Sequence, residues 1–424
     1  MLLFKGTFDE GCGGASGAAS ERTAPARTRE TSTAVYLLVV LTAGAYLPSP
    51  LYAGYQHAFG FGDLTMTLIY ATFALVSAPS LLLFGPAADT AGPRAVLRIS
   101  VAVSALASSC FALASGPEWL LAGRAAQGLA LGAATGAAAA LITAHASTGS
   151  RARASTTAST AFVAGTAAGP IAAGVLAQYA PAPQVLPYLM HLALLGYGWR
   201  RVSALAAPGP IPGRLRPSRP RIPAGWRLRF GTAAAAGFLA WTAAGLFLAV
   251  VPAVLGGTAG IDNLAVVGAI VGAVLACSVA SQPLVGRFGP ELAQLAGLGA
   301  VGVGLGALAL TGGGSLSVTL LAAVAAGVGH GLAFGGATAT VDAAGPQNQR
   351  AAISSALYLA FYLGAGGPAV AVGLLTLWHP LATAVSWIGA AAAVLVPFVG
   401  AALVLQGRGL TPPRRGRPVA PARR

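Results

Sequence analysis

The stretch LLAGRAAQGLALGA, residues 120–133, sets Arg124 in the middle of an apolar run, with Gln127 and Gly128 three and four residues on. A guanidinium is always charged and presents a planar fork of donors. Inside an apolar bundle it can depress the pKa of a nearby carboxylate, bind an anionic group of a solute, or brace its helix by donating to backbone carbonyls. Gln127 shares its helical face, and Gly128 lies one turn further along. A second charged set stands in GPAADTAGPRAVL, where Gly85 and Gly92 permit a tight turn and Asp89 and Arg94 are opposite charges. His191 and His330 interrupt apolar stretches and are candidates either for proton exchange or for ordinary buried hydrogen bonds. Trp241, Tyr358, Phe361 and Tyr362 could wall a pocket, and one so poor in charge suits a hydrophobic or amphipathic solute better than a sugar.

What must hold these residues is a membrane. Of 424 residues 56% are hydrophobic and only 8% charged, with a mean hydropathy of +0.74, which excludes an ordinary water-soluble globule. Measured against the ~20 residues that cross a bilayer, the apolar runs predict twelve helices, at about 34–53, 64–85, 95–115, 119–144, 157–179, 184–206, 230–255, 264–285, 291–311, 316–340, 352–375 and 380–406. The chain then divides into a disordered tail at 1–33, a six-helix bundle at 34–206, a basic Pro/Arg-rich linker at 207–229, a second six-helix bundle at 230–406 and a basic tail at 407–424. The first 33 residues mix acidic and basic side chains and do not read as a cleaved signal peptide. Cys12, Cys110 and Cys277 are too few and scattered for a disulfide framework or a metal site. No nucleotide-binding loop, dinucleotide fingerprint, metal cluster or nucleophile–base pattern is legible, so neither enzyme activity nor a cofactor is expected.

The net charge of +15 is explained by topology rather than by nucleic acid. With both termini on one side, Arg94, Arg98, Arg151, Arg153, Arg287, Arg350, the eight arginines of the central stretch from Arg200 to Arg229, the six of the C-terminal tail, and Lys5, Arg22, Arg27 and Arg29 all fall on that side. Arg124 is the only remaining basic residue. Positive charge marks the cytoplasmic side, so both termini are expected in the cytoplasm and the chain in the cytoplasmic membrane, its basic loops touching anionic lipid.

The two bundles repeat one another at an offset of about 200 residues. GLALGAATG at 128–136 reads like GLAFGGATA at 331–339, GTAAGP ending at Pro170 like GAGGP ending at Pro368, and Asp63 in FGDLT like Asp262 in GIDNL. Duplicated bundles of this kind carry their pathway between the halves.

On these residues the chain resembles the major facilitator superfamily. Gly85, Asp89, Gly92 and Arg94 fit its loop signature between the second and third helices, although Thr90 and Pro93 replace usual basic residues, and the second half keeps only QPLVGRFGP with Gly286 at the aspartate position. Leu120, Arg124, Gln127, Gly128 and Gly132 resemble its fourth-helix motif, in which the arginine faces the central cavity. Gly165, Gly169, Pro170 and Gly174 are similar to the fifth-helix motif of antiporter-type exporters, with Ala173 in place of one glycine. The resemblance implies a fold of twelve transmembrane helices in two pseudo-symmetric bundles. It implies secondary transport of a small molecule by alternating access, most simply proton-coupled efflux, with Asp89 holding one conformation. Import or symport of a metabolite, and a transport-inactive sensor on the same fold, stay open.

The charge distribution carries its own test. Reporter fusions at either terminus are expected to be active only in the cytoplasm. A periplasmic signal from either end contradicts the orientation.

Overall fold

The computed structural model describes residues 13–84, 91–143, 151–206, 222–257, 260–344 and 350–408, and every regular element among them is helical. A bilayer offers no water to an unpaired backbone group, so an apolar chain crosses it as helices that satisfy their own N–H and C=O groups. Twelve long helices result: α1 Gly13–Tyr46, α2 Asp63–Phe84, α3 Pro93–Ala112, α4 Pro117–Thr143, α5 Arg151–Tyr179, α6 Leu186–Ser203, α7 Arg227–Ala249, α8 Leu264–Ser281, α9 Pro290–Thr311, α10 Leu316–Ala344, α11 Arg350–Leu375 and α12 Leu381–Arg408. Eleven are long and apolar enough to span a membrane by themselves. The twelfth, α6, falls short because its sequence carries His191, Arg200 and Arg201. Large apolar side chains such as Leu75, Ile99, Leu106, Leu310 and Phe398 are more than half exposed, as expected for surfaces that face lipid.

Two boundaries differ from the sequence reading. α1 is helical from Gly13, so the residues up to 33 continue the first helix. Propagating an established helix is far easier than nucleating one, and the extension runs on through Gly13, Gly14, Gly17 and Pro25 despite their low helix propensity. The apolar runs of the first and seventh segments are also broken. After α1, Pro48 and Pro50 introduce a 3-10 turn, Ser49–Leu51, followed by a short helix, Tyr52–Phe59. After α7, Val250 ends the helix and Val251–Gly257, with Pro252, starts another. Proline lacks the N–H that would continue the ladder, while hydropathy runs on through the break.

α1–α6 and α7–α12 form the two bundles, and the repeat is structural. Gly128 and Gly132 of α4 abut α2 at Phe73 and at Ser77 and Ser80; Gly327 and Gly331 of α10 abut α8 at Val274 and at Ser278 and Ser281. Ser80 Oγ donates to Leu129 O at 2.8 Å, and Ser281 Oγ to Val328 O at 3.2 Å. Gly128 therefore corresponds to Gly327. The likeness of GLALG to GLAFG is displaced by one helical turn, because small residues four apart look the same after a one-turn shift. Gly60 and Gly260 take matching left-handed φ values of 67° and 64° before α2 and α8.

The bundles meet along two seams, α5 with α8 and α2 with α11. At one end of the molecule Tyr52–Phe59 also meets its repeat counterpart Val251–Gly257. Antiparallel alternation puts the arginines at the ends of α3, α5, α6 and α7 on the opposite end. The two ends are termed arginine-free and arginine-bearing.

α3 and α9 both start at a Gly-Pro pair. Gly92 has φ 80° and ψ 147°, and Gly289 has φ 77° and ψ 161°, a region that only glycine enters cheaply. The second half thus keeps the backbone turn of the loop signature while lacking its aspartate. Gly289→Ala is expected to destabilise the protein by ~1–3 kcal/mol, read as a lower melting temperature in detergent. Gly286→Ala, inside the Pro283–Phe288 helix with open space around it, should leave the melting temperature unchanged.

Candidate functional site

Arg124 is 1% exposed, and its partners are backbone and amide oxygens. Nη1 donates to Ala45 O of α1 and, at 2.8 Å, to Gln127 Oε1; Nη2 donates to Tyr70 O of α2 at 3.3 Å. Gln127 Nε2 in turn donates to Gly44 O at 2.8 Å. The guanidinium also lies over the Phe73 ring, 4.7 Å from its centroid, and 5.5 Å from that of Tyr70. These contacts tie α1, α2 and α4 into one unit. Of the roles open to Arg124, the brace is the one its geometry supports, and Nε alone stays without a partner. Gly128 makes the joint possible by letting α4 lie directly against the α2 backbone at Phe73.

Phe73 links this brace to the interface between bundles. Its ring packs edge-on against Tyr46 at 5.6 Å and against Tyr362 of α11 at 6.1 Å. A second aromatic group occupies the other half: Trp241 of α7 meets His330 of α10 at 4.7 Å, His330 stacks with Phe334 at 5.4 Å, and Phe334 reaches Phe361 and Tyr358 of α11 at 5.2 and 6.4 Å. Phe162 of α5 touches Trp241 across the interface at 6.4 Å. Trp241 and Tyr358 thus share one group with His330, whereas Tyr362 meets Phe73 instead. Phe73, Phe162 and Phe334 were not singled out, since an aromatic on an apolar helix carries no local sign of which neighbour it meets.

The two histidines part company. His191 lies inside the first bundle, with Nδ1 2.7 Å from Ser108 Oγ and Nε2 3.0 Å from Val40 O, and both ring nitrogens are occupied. It stands among α1, α3 and α6, away from the seams. His330 Nδ1 is 2.8 Å from Ser278 Oγ of α8, but its Nε2 is buried without a partner, as are Trp241 Nε1 and Tyr52 OH. Buried polar atoms of this kind are uncommon and mark places where a ligand or water can bind. Tyr36 donates to Leu194 O at 2.9 Å between α1 and α6 and does not join the cluster.

The fifth-helix motif is a two-sided packing ridge. A side chain at Gly165 or Gly169 would strike α1 at Val39, Thr42 and Ala43, whereas one at Gly174 would strike α8 at Leu264 and Gly268. Gly268 itself abuts Pro170 O, and Gly272 abuts Ala167 O and Ile171. Pro170 lies within α5 without ending it. On the other seam Gly373 abuts Leu64 and Thr67 of α2, and Gly366 abuts Ala71 and Ala74.

In the loop signature Gly85 and Asp89 lie outside the described residues. Gly92 forms the N-cap of α3, and Arg94 donates to Ser203 O at the end of α6 at 2.6 Å.

Two helical repeats with close-packed glycine seams and an aromatic interior between them define a membrane transporter of the alternating-access kind. The sequence profile of the Major Facilitator Superfamily matches residues 34–368. The chain belongs to that superfamily, and it is not an enzyme. Its fold is similar to the crystal structure of a bacterial homologue of the human lysosomal transporter Spinster in an inward-facing, unoccupied conformation, with 16% identity, a TM-score of 0.67, and coverage of 91% of this chain and 98% of that one. The inward-facing occupied structure gives 17% identity, a TM-score of 0.65, and coverage of 91% and 97%. No curated protein matches the sequence.

Each charge-assisted hydrogen bond of Arg124 is worth ~1.5–3 kcal/mol. Arg124→Ala is therefore expected to cost about 3 kcal/mol or more, seen as a marked fall in melting temperature in detergent. Arg124→Lys should recover only part of that loss, because an ammonium cannot reach three oxygens in a plane. An alanine variant as stable as the parent contradicts the brace.

Proposed function

We propose that the protein exports a small hydrophobic or amphipathic molecule from the cytoplasm in exchange for protons. The observation that carries this reading is the interior between the bundles. Aromatic rings pack there in two groups, Trp241, Phe334, Phe361 and Tyr358 in one, which Phe162 touches from the other bundle, and Phe73 with Tyr362 in the other, with unpartnered polar atoms on His330 and Trp241. Apolar walls with a few unpaired donors bind a greasy solute with one or two polar groups. The fifth-helix motif adds the likeness to antiporters, and its double packing ridge supports a helix that slides against α8.

In this reading the solute and the proton each favour one arrangement of the bundles. His330 is the titratable residue of the aromatic group, held by Ser278 at one nitrogen and open at the other. Asp89 steadies one conformation at the arginine-bearing end, a role that rests on the family likeness. That end faces the cytoplasm, where its arginines meet anionic lipid.

In proteoliposomes an imposed pH gradient is expected to drive solute movement, and a protonophore to abolish it. His330→Asn should keep binding while removing the response to the gradient. Flux that follows only the solute's own gradient makes the protein a facilitator and overturns the exchange.

A further inference from the structure

Away from both seams, a cavity of about 710 Å³ opens at the arginine-bearing end, lined by Arg29 of α1 and by Tyr197, Trp199, Arg200, Arg201 and Ser203 around the last turn of α6. No acidic side chain lines it. α3 places two further guanidinium groups against residues that line it. Arg94 is bonded to Ser203 O at 2.6 Å, and Arg98 lies 4.7 Å above the Trp199 ring; the Nε of each is buried without a partner. Arg201 is fixed by Ser32 Oγ at 2.8 Å and by the rings of Tyr36 and Tyr197 at 5.2 and 5.8 Å. Arg29 and Arg200 are exposed in the opening.

A helix C-terminus attracts cations, and one or two would satisfy that of α6. Five arginines from three helices converge here, and two aromatics, Tyr197 and Trp199, are exposed beside them at 54% and 38%. Aromatic rings at a membrane surface settle at the level of the lipid headgroups. Guanidinium forks match the oxygens of phosphate, and stacking on rings holds Arg98 and Arg201 ready for such a group.

We propose that this cradle binds a phosphate group supplied by the headgroup of an anionic membrane lipid, with Arg29 and Arg200 on its oxygens and Tyr197 and Trp199 along its acyl chains. The proposal rests on the reading that the arginine-bearing end contacts anionic lipid, and narrows it to one site. Transport plays no part in it. The residues that keep α6 from qualifying as a membrane span by hydropathy are then in part the residues of its lipid site.

The test uses the full chain in phosphatidylcholine vesicles, with or without phosphatidylglycerol, and in phosphatidylcholine with inorganic phosphate. Melting temperature is followed, together with the number of lipids retained on release into a mass spectrometer. Phosphatidylglycerol is expected to raise the melting temperature and to remain bound as one retained lipid, whereas inorganic phosphate does neither. The double variant Arg29→Gln/Arg200→Gln, whose changes are on exposed side chains, should lose that retention about tenfold or more. Arg153→Gln/Arg287→Gln, at the same end but outside the cavity, should keep it. Equal retention in the cradle variant overturns the site while leaving general contact with anionic lipid intact. Loss of stabilisation in all three proteins overturns both. An equal rise with inorganic phosphate shows that a free phosphate is the ligand and overturns the lipid source.

Discussion

The structure depends on how closely two helices can approach where water offers no help. In lipid, apolar side chains gain little by leaving their surroundings, so helices associate through van der Waals contact and must lie nearly backbone to backbone. The two bundles meet in that manner. Gly174 faces Leu264 and Gly268, Gly268 faces Pro170, and Gly373 faces Leu64 and Thr67. Any larger residue at these points would separate the halves.

Polar bonding is distributed in the opposite sense. Within the first bundle, Arg124 and Gln127 hold α4 to α1 and α2, Ser80 holds α2 to α4, and His191 holds α6 to α1 and α3. Within the second, Ser278 with His330 and Ser281 with Val328 hold α8 to α10, and Thr242 holds α7 to α11. Across the α5–α8 seam the bonds come near its two ends: Gln178 accepts from Leu264 N at 2.8 Å, and Ser159 and Thr160 donate to Gln282 at 3.3 and 3.4 Å. Directional bonds inside each half and smooth contact between halves suit two rigid bodies that move against one another.

Much of this was legible in the sequence because a bilayer imposes simple rules. Apolar length gave the twelve helices, and the alternation of arginine gave the two ends. Other features could not be read. Arg124 bonds to carbonyls, which every residue possesses, so nothing in the sequence distinguished a brace from a solute site. His191 and His330 both pair with a serine, Ser108 and Ser278, and only the packing decides that Val40 O fills the second nitrogen of one and nothing fills that of the other. The breaks after α1 and α7 lie inside uninterrupted apolar sequence. The register of the repeat was one turn out on α10 for the same reason that the seams work: small residues recur every four positions.

Two bundles that move as bodies about the glycine seams must change the distance between their ends. The most direct measurement is the distance between spin labels at His57→Cys and Gly257→Cys, exposed on the two short helices that meet at the arginine-free end, with Cys12, Cys110 and Cys277 replaced by serine in a protein that still transports. In lipid nanodiscs one population with the two short helices in contact is expected, together with a second, longer distance whose share changes between acidic and neutral pH. A single distance, unmoved by pH in a protein that transports, contradicts that motion.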